Sequence, residues 1–144
     1  NSGSGCLFLV FPAQAYAASS ALVVNFDRSV FRTGATAYDI GASPTVTQID
    51  SIPYNESGPA PSMSGAVAAD DGIVAMQASS TNPAPDPTWA GVAKNWSLNR
   101  SGRRLTAASA TGLSAGTVTP VCSWDLGEAD EDSRTSGLLL RIEG

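Results

Sequence analysis

Histidine is missing from this 144-residue chain, lysine occurs once, and Glu (4), Gln (3) and Met (2) are scarce. Without histidine there is no Ser-His-Asp or Cys-His nucleophile system, no histidine general base and no histidine-ligated metal site. The scarce residues are those that fill exposed helix surfaces, so an all-helical bundle is not expected. Eight basic against 13 acidic residues leave a net charge of -5. No basic face is available to neutralise phosphates, and nucleic acid is not an expected partner. Cysteine is nearly absent too: Cys6 and Cys122 lie near opposite ends of the chain and form no CxxC. Two cysteines are too few for a disulfide-framework domain. Two readings stay open for them. They are a pair of small buried apolar residues, or a bridge between the first and penultimate strands, which requires Cα atoms ~4.4–6.8 Å apart.

Long hydrophobic runs are also lacking. The apolar stretch Cys6–Tyr16 (CLFLVFPAQAY) falls far short of the ~20 residues of a membrane span, and no membrane span is expected. It runs into Ala15-Tyr16-Ala17, which looks like a signal cleavage site, but no basic stretch precedes it. It reads as a buried strand. What the chain does have is small residues: Ala, Ser, Gly and Thr make up 66 of the 144. The length fits one domain, 1–144, and a chain of this size buries enough surface to fold without metal or disulfide.

Short β-branched or aromatic runs, separated by turn residues every ten to twenty positions, predict an all-β fold. The expectation is an antiparallel β-sandwich of jelly-roll type. The predicted strands are Cys6–Phe11, Ala21–Phe26, Gly34–Ile40, Thr45–Ile49, Gly65–Ala68, Ile73–Ala78, Trp89–Ala93, Leu105–Ala110, Thr117–Trp124 and Gly137–Ile142. Asn82-Pro-Ala-Pro-Asp-Pro87 removes three backbone donors and reads as a surface loop, and Tyr54–Ser64 is a second Pro/Gly/Ser connection. A weak internal repeat runs through the chain. Val24-Asn-Phe-Asp27, Arg32-Thr-Gly34 and Ala37-Tyr-Asp-Ile-Gly41 match Val121-Cys-Ser-Trp-Asp125, Arg134-Thr-Ser-Gly137 and Leu139-Leu-Arg-Ile-Glu-Gly144. Each copy reads as strand, loop and returning strand. Halves of about 1–50 and 73–144 would give the sandwich an internal pseudo-twofold.

No catalytic, cofactor-binding or metal-ligating residue is expected. The loop Asp125–Asp132 carries five carboxylates in eight residues, but it does not match an EF-hand and reads as a solvated hairpin tip that deters edge association. Asp70-Asp71 is the adjacent acidic pair outside that loop. Glycosidase chemistry needs two flanking acids, but this pair, followed by Gly72, reads as a turn. Trp124 alternates with Cys122, which puts both on one side of a strand and points to core packing. Trp96, in Lys94-Asn-Trp-Ser-Leu98, and Trp89, after the Pro loop, are the candidates for stacking on a sugar ring. Asn55-Glu-Ser57 and Asn95-Trp-Ser97 fit glycosylation sequons, and Arg100-Ser-Gly-Arg-Arg104 reads as a hairpin turn.

The layout of residues 73–144 resembles a known type of domain. It has the strand Ile73-Val-Ala-Met-Gln-Ala, a Pro-rich loop, Pro87-Thr-Trp-Ala-Gly91, Leu105-Thr-Ala-Ala-Ser-Ala, Thr117-Val-Thr-Pro-Val-Cys-Ser-Trp124 and a closing Gly137-Leu-Leu-Leu-Arg-Ile142. This is similar to the small Ala/Ser/Thr/Gly-rich β-sandwich domains of tailed-phage and phage-like virions, also seen in bacterial surface proteins. Residues 1–72 fit only through the internal repeat. The resemblance implies a non-enzymatic structural role in a virion: capsid decoration, head fibre or tail component. Its implied partners are other virion subunits, in a homo-oligomer or on a capsid or tail lattice. The alternative is a carbohydrate-binding or host-attachment module, secreted or on a bacterial surface, that meets surface glycans through Trp96 or Trp89.

Overall fold

The computed structural model of the chain describes residues 38, 40, 45–56, 62–79, 86–100, 103–124 and 135–144. The predicted strands Cys6–Phe11 and Ala21–Phe26, the first repeat copy except Tyr38 and Ile40, and the acidic loop lie outside the described residues.

The described chain is all-β and antiparallel, with nine strands and no helix. These are β1 (Val46–Glu56), β2 (Gly65–Val67), β3 (Gly72–Ser79), β4 (Thr88–Ala90), β5 (Ala93–Arg100), β6 (Arg103–Ala110), β7 (Gly116–Val118), β8 (Val121–Ser123) and β9 (Thr135–Ile142). Five of them form one sheet in the order β1-β9-β3-β6-β5, while β2 pairs with β7 and β4 with β8 in two short ribbons.

Strand alternation assigns the two faces of the main sheet. Directly paired residues share a face, so Ile73, Ala75, Gln77 and Ser79 of β3 stand with Ala110, Ala108, Thr106 and Arg104 of β6. On the other flank they stand with Arg141, Leu139, Gly137 and Thr135 of β9. This is the face on which the ribbons pack. Ile52, Met63, Val67, Ile73, Ala75 and Leu139 form its buried cluster, with Trp89 of β4 and Val118 of β7 against it. Fully burying a side chain such as Leu139 contributes about 1.5–3 kcal/mol. Gly137 is needed for this approach. A Cβ there would stand 3.1 Å from Met63 Sδ and 3.2 Å from both Gln77 Cγ and Ile52 Cδ1, tighter than ordinary packing.

Two predicted strands are each broken in two, for identifiable reasons. Trp89–Ala93 is interrupted at Gly91, whose φ of +79° turns the chain out of the β4 ribbon and into β5 of the main sheet. Thr117–Trp124 is interrupted at Thr119-Pro120, and a buried proline cannot donate to a ladder. β7 and β8 therefore serve different ribbons. β1 runs seven residues past its predicted end at Ile49, through Pro53, which an edge strand tolerates.

Both edges of the main sheet are irregular. The β1–β9 register shifts between Gln48 and Asp50 and again between Ile52 and Glu56, and β5 bulges at Asn95 between Lys94 and Trp96. Arg100 pairs with Arg103 at the end of the β5–β6 ladder, and residues 101 and 102 of the predicted turn lie outside the described residues.

Candidate functional site

The polar side chains of the ribbon face are the most organised chemistry among the described residues. Gln77, Ser79, Thr106 and Thr135 are all at most 3% exposed. Burying such groups without partners is costly, so each calls for a bond. The tryptophans supply several of them. Trp89 Nε1 donates to Thr106 Oγ1 (3.0 Å), and that hydroxyl donates onward to the Trp96 carbonyl (3.0 Å). Trp124, 3% exposed, donates from Nε1 to Gln77 Oε1 (3.3 Å). The β4–β8 ribbon is thereby fastened to β3 and β6 through indole N–H groups as well as through apolar contact.

At the solvent end of this face, Asp86 closes an ionic cluster. Its two carboxylate oxygens accept from Lys94 Nζ and Arg104 Nη1, each at 3.0 Å, and Arg104 also donates to Ser97 Oγ (3.0 Å). A hydrogen bond from Ser97 is the largest influence holding the Asp86 carboxyl below its ordinary pKa, with Lys94 next. Asp86 is more than half exposed and Arg104 mostly buried, so the pair ties the chain just before β4 to β6 at the surface.

Asp71 forms a second fastening point, 2% exposed. It accepts from the Ala68 N–H and from Arg141 Nε through Oδ2, and from the Gly144 N–H through Oδ1 (3.2 Å). The Ala68 hydrogen bond is the largest of the effects that lower its pKa, and Arg141 adds to it. Its neighbour Asp70 occupies the turn with φ +67°, and the turn is closed on the β6–β7 connection by Asp70 N–H to Leu113 carbonyl (2.8 Å) and Leu113 N–H to Asp71 carbonyl (3.0 Å). Sequence reading placed this pair correctly in a turn, but it gave no hint of Arg141. Seventy residues separate the partners, and only the β3–β9 pairing brings them together.

Trp89 is half-buried, its indole nitrogen turned inward to Thr106. Trp96 is half-buried on the edge strand β5 between exposed Asn95 and half-buried Ser97, and its Nε1 is sealed from solvent without an aligned acceptor. Tyr38 comes against this spot. Its hydroxyl donates to Asn95 Oδ1 (3.1 Å), burial pushes its pKa up, and the Trp96 indole works in the opposite direction. Cys122 pairs in register with Trp89, is fully buried and carries a free thiol, whose pKa burial pushes up to about 12 against the pull of Lys94. Cys6 lies outside the described residues. Among the described residues, no group of three or more Cys, Asp or Glu side chains is placed to hold a metal ion.

A scan against protein-family models, a search of the curated proteins and a search of the solved structures each find no match. The chemistry of these residues therefore carries the functional reading.

Proposed function

We propose that this chain is a non-enzymatic structural domain of a phage or phage-like virion, a capsid decoration, head fibre or tail component that works through contacts with neighbouring subunits. The jelly-roll path and the internal pseudo-twofold belong to the same proposal. The observation that supports it best is how the buried polar groups are used. Thr106, Gln77 and Asp71 each fasten one strand or ribbon to another, which is the chemistry of a rigid block.

The sheet edges add a second support. Bulges, Pro53 on β1 and Lys94 on β5 are devices that deter uncontrolled strand addition. A part that is repeated many times on a lattice needs such protection, and its contacts then fall on loops and side-chain surfaces. The test is to tag the protein in its native setting and fractionate assembled particles. Co-migration with particles, in fixed stoichiometry, is expected. Strictly monomeric sedimentation with no particle association would overturn the reading.

A second reading, attachment to surface glycans, is favoured by one observation: Trp96 sits on an edge strand beside the exposed Asn95. Binding on a glycan array that is abolished by Trp96→Ala would select it, and binding that persists would remove Trp96 from the site.

A further inference from the structure

The edge strand β5 brings together two aromatic rings and one amide from distant parts of the chain. Its bulge falls on Asn95, which is exposed and has no partner in the β6 ladder. A bulge at a sheet edge re-aims the side chain it carries. The Asn95 amide is held by Tyr38, 57 residues earlier, whose hydroxyl donates to Oδ1 (3.1 Å). That bond engages the amide oxygen and leaves Nδ2, with its two N–H donors, without a partner among the described residues. Trp96 follows directly. Its cross-strand partner is Ala107, so no large side chain stands opposite it, and it is half-buried. The indole lies close enough to the Tyr38 hydroxyl to lower its pKa, and Trp96 Nε1 is itself closed to solvent. Trp96 can therefore offer a ligand ring surface but no N–H.

We propose that Tyr38, Asn95 and Trp96 together form a binding site for a neutral pyranose, with Tyr38 as the second aromatic contact and Asn95 Nδ2 as the donor to a sugar hydroxyl. The proposal rests on the glycan-attachment reading and adds to it a residue, a donor and a ligand class. A pyranose has C–H surface that packs on aromatic carbon and hydroxyls that need a few placed polar groups. A ring contact alone leaves the sugar free to rotate, and the amide removes that freedom. Because Tyr38 already holds Asn95 by its oxygen, the donor is oriented before the ligand arrives and less side-chain freedom is lost on binding. The charges beside the site point to a neutral ligand. Lys94, next to Asn95, is bonded to Asp86 and to the Pro87 carbonyl, and Arg104 to the same Asp86 and to Ser97. Both cations are committed, so a sugar carboxylate brought here would lose water without gaining a counter-charge. Trp89 does not compete for this role, since its indole nitrogen is turned inward to Thr106.

The experiment is an array of neutral hexose and N-acetylhexosamine oligosaccharides printed beside sialylated ones, probed with the full chain and its variants. Binding to neutral glycans is expected. Tyr38→Ala and Trp96→Ala should each weaken it about tenfold, the loss of one aromatic contact. Tyr38→Phe keeps the ring and releases the amide, so its loss should be smaller. A measurement on the unaltered protein does not depend on how the variants fold: titration with the best-bound oligosaccharide, followed by nuclear magnetic resonance, should shift the Asn95 side-chain amide and the Tyr38 ring. If Trp96→Ala abolishes binding while Tyr38→Ala binds like the parent, the Tyr38 assignment is overturned and the glycan reading stands. An Asn95 amide that does not move would overturn the donor, and selection of sialylated glycans the ligand class. Binding to no glycan would remove the site and the reading on which it rests.

Discussion

Replacing Thr106 by valine should unfasten the ribbon face while leaving its shape intact. Valine matches threonine in size, so no cavity forms and only the hydroxyl is lost. That hydroxyl accepts from Trp89 Nε1 and donates to the Trp96 carbonyl, at a position 1% exposed. The buried indole N–H is left without an acceptor, which costs about 1–3 kcal/mol. With a urea slope of about 2 kcal/mol per molar, a loss of about 2 kcal/mol lowers the unfolding midpoint by ~1 M. The assay is urea denaturation followed by far-ultraviolet circular dichroism, which stays comparable when a tryptophan is changed. Thr106→Ser keeps the hydroxyl and gives up one methyl group, about 0.8 kcal/mol. Trp89→Phe removes the donor, so the double variant Thr106→Val with Trp89→Phe should lose less than the two single losses combined, by ~1 kcal/mol. Additivity of the two changes, or a Thr106→Val protein as stable as the parent, would refute the claim that this bond fastens ribbon to sheet.

Three further outcomes follow from the same packing. Leu139→Ala removes a fully buried side chain from the cluster and should cost about 3–5 kcal/mol, a fall of ~10–15 °C in Tm by calorimetry. The Asp71 carboxyl is held below its ordinary pKa in the folded protein, so its contribution is present above the unfolded value of ~3.9 and is lost as pH falls through the folded one. Asp71→Asn should therefore weaken the protein at pH 7 and flatten the acid limb of its stability profile; an unchanged acid limb would contradict the role assigned to the carboxylate. In a Cys6→Ala background, the Cys122 thiol should stay unreactive to a thiol reagent at pH 8 and react on addition of urea, given its burial and a pKa of about 12.

The strands that are easiest to read in the sequence are those in the middle of the sheet. Apart from Gln77 and Arg141, Ile73–Ala78, Leu105–Ala110 and Gly137–Ile142 are apolar or small on both faces, and each appears within two residues of its predicted ends as β3, β6 and β9. The edge strands are harder. In Ala93–Arg100 only Trp96 and Leu98 are large and apolar, and the bulge at Asn95 breaks their alternation with Lys94, so periodicity has too little to work on. Beyond Ile49, Pro53 hides the continuation of β1.

The fastening residues were legible by type and not by partner. Burial of Trp124 beside Cys122 follows from their spacing, and both are buried. That its indole meets Gln77, 47 residues away, depends on a ribbon folding back over β3, which no local pattern encodes. The same holds for Asp71 with Arg141 and Trp89 with Thr106.

Native-state hydrogen exchange, resolved by residue, tests the sheet order most directly. β3 lies between β9 and β6, with both of its backbone edges paired, so its amides should exchange only through global unfolding, together with those of β9 and β6. The outward-facing amides of β1 and β5 should exchange orders of magnitude faster. Fast exchange along Gly72–Ser79, or protection greatest at the edges, would contradict the architecture from which everything else is argued.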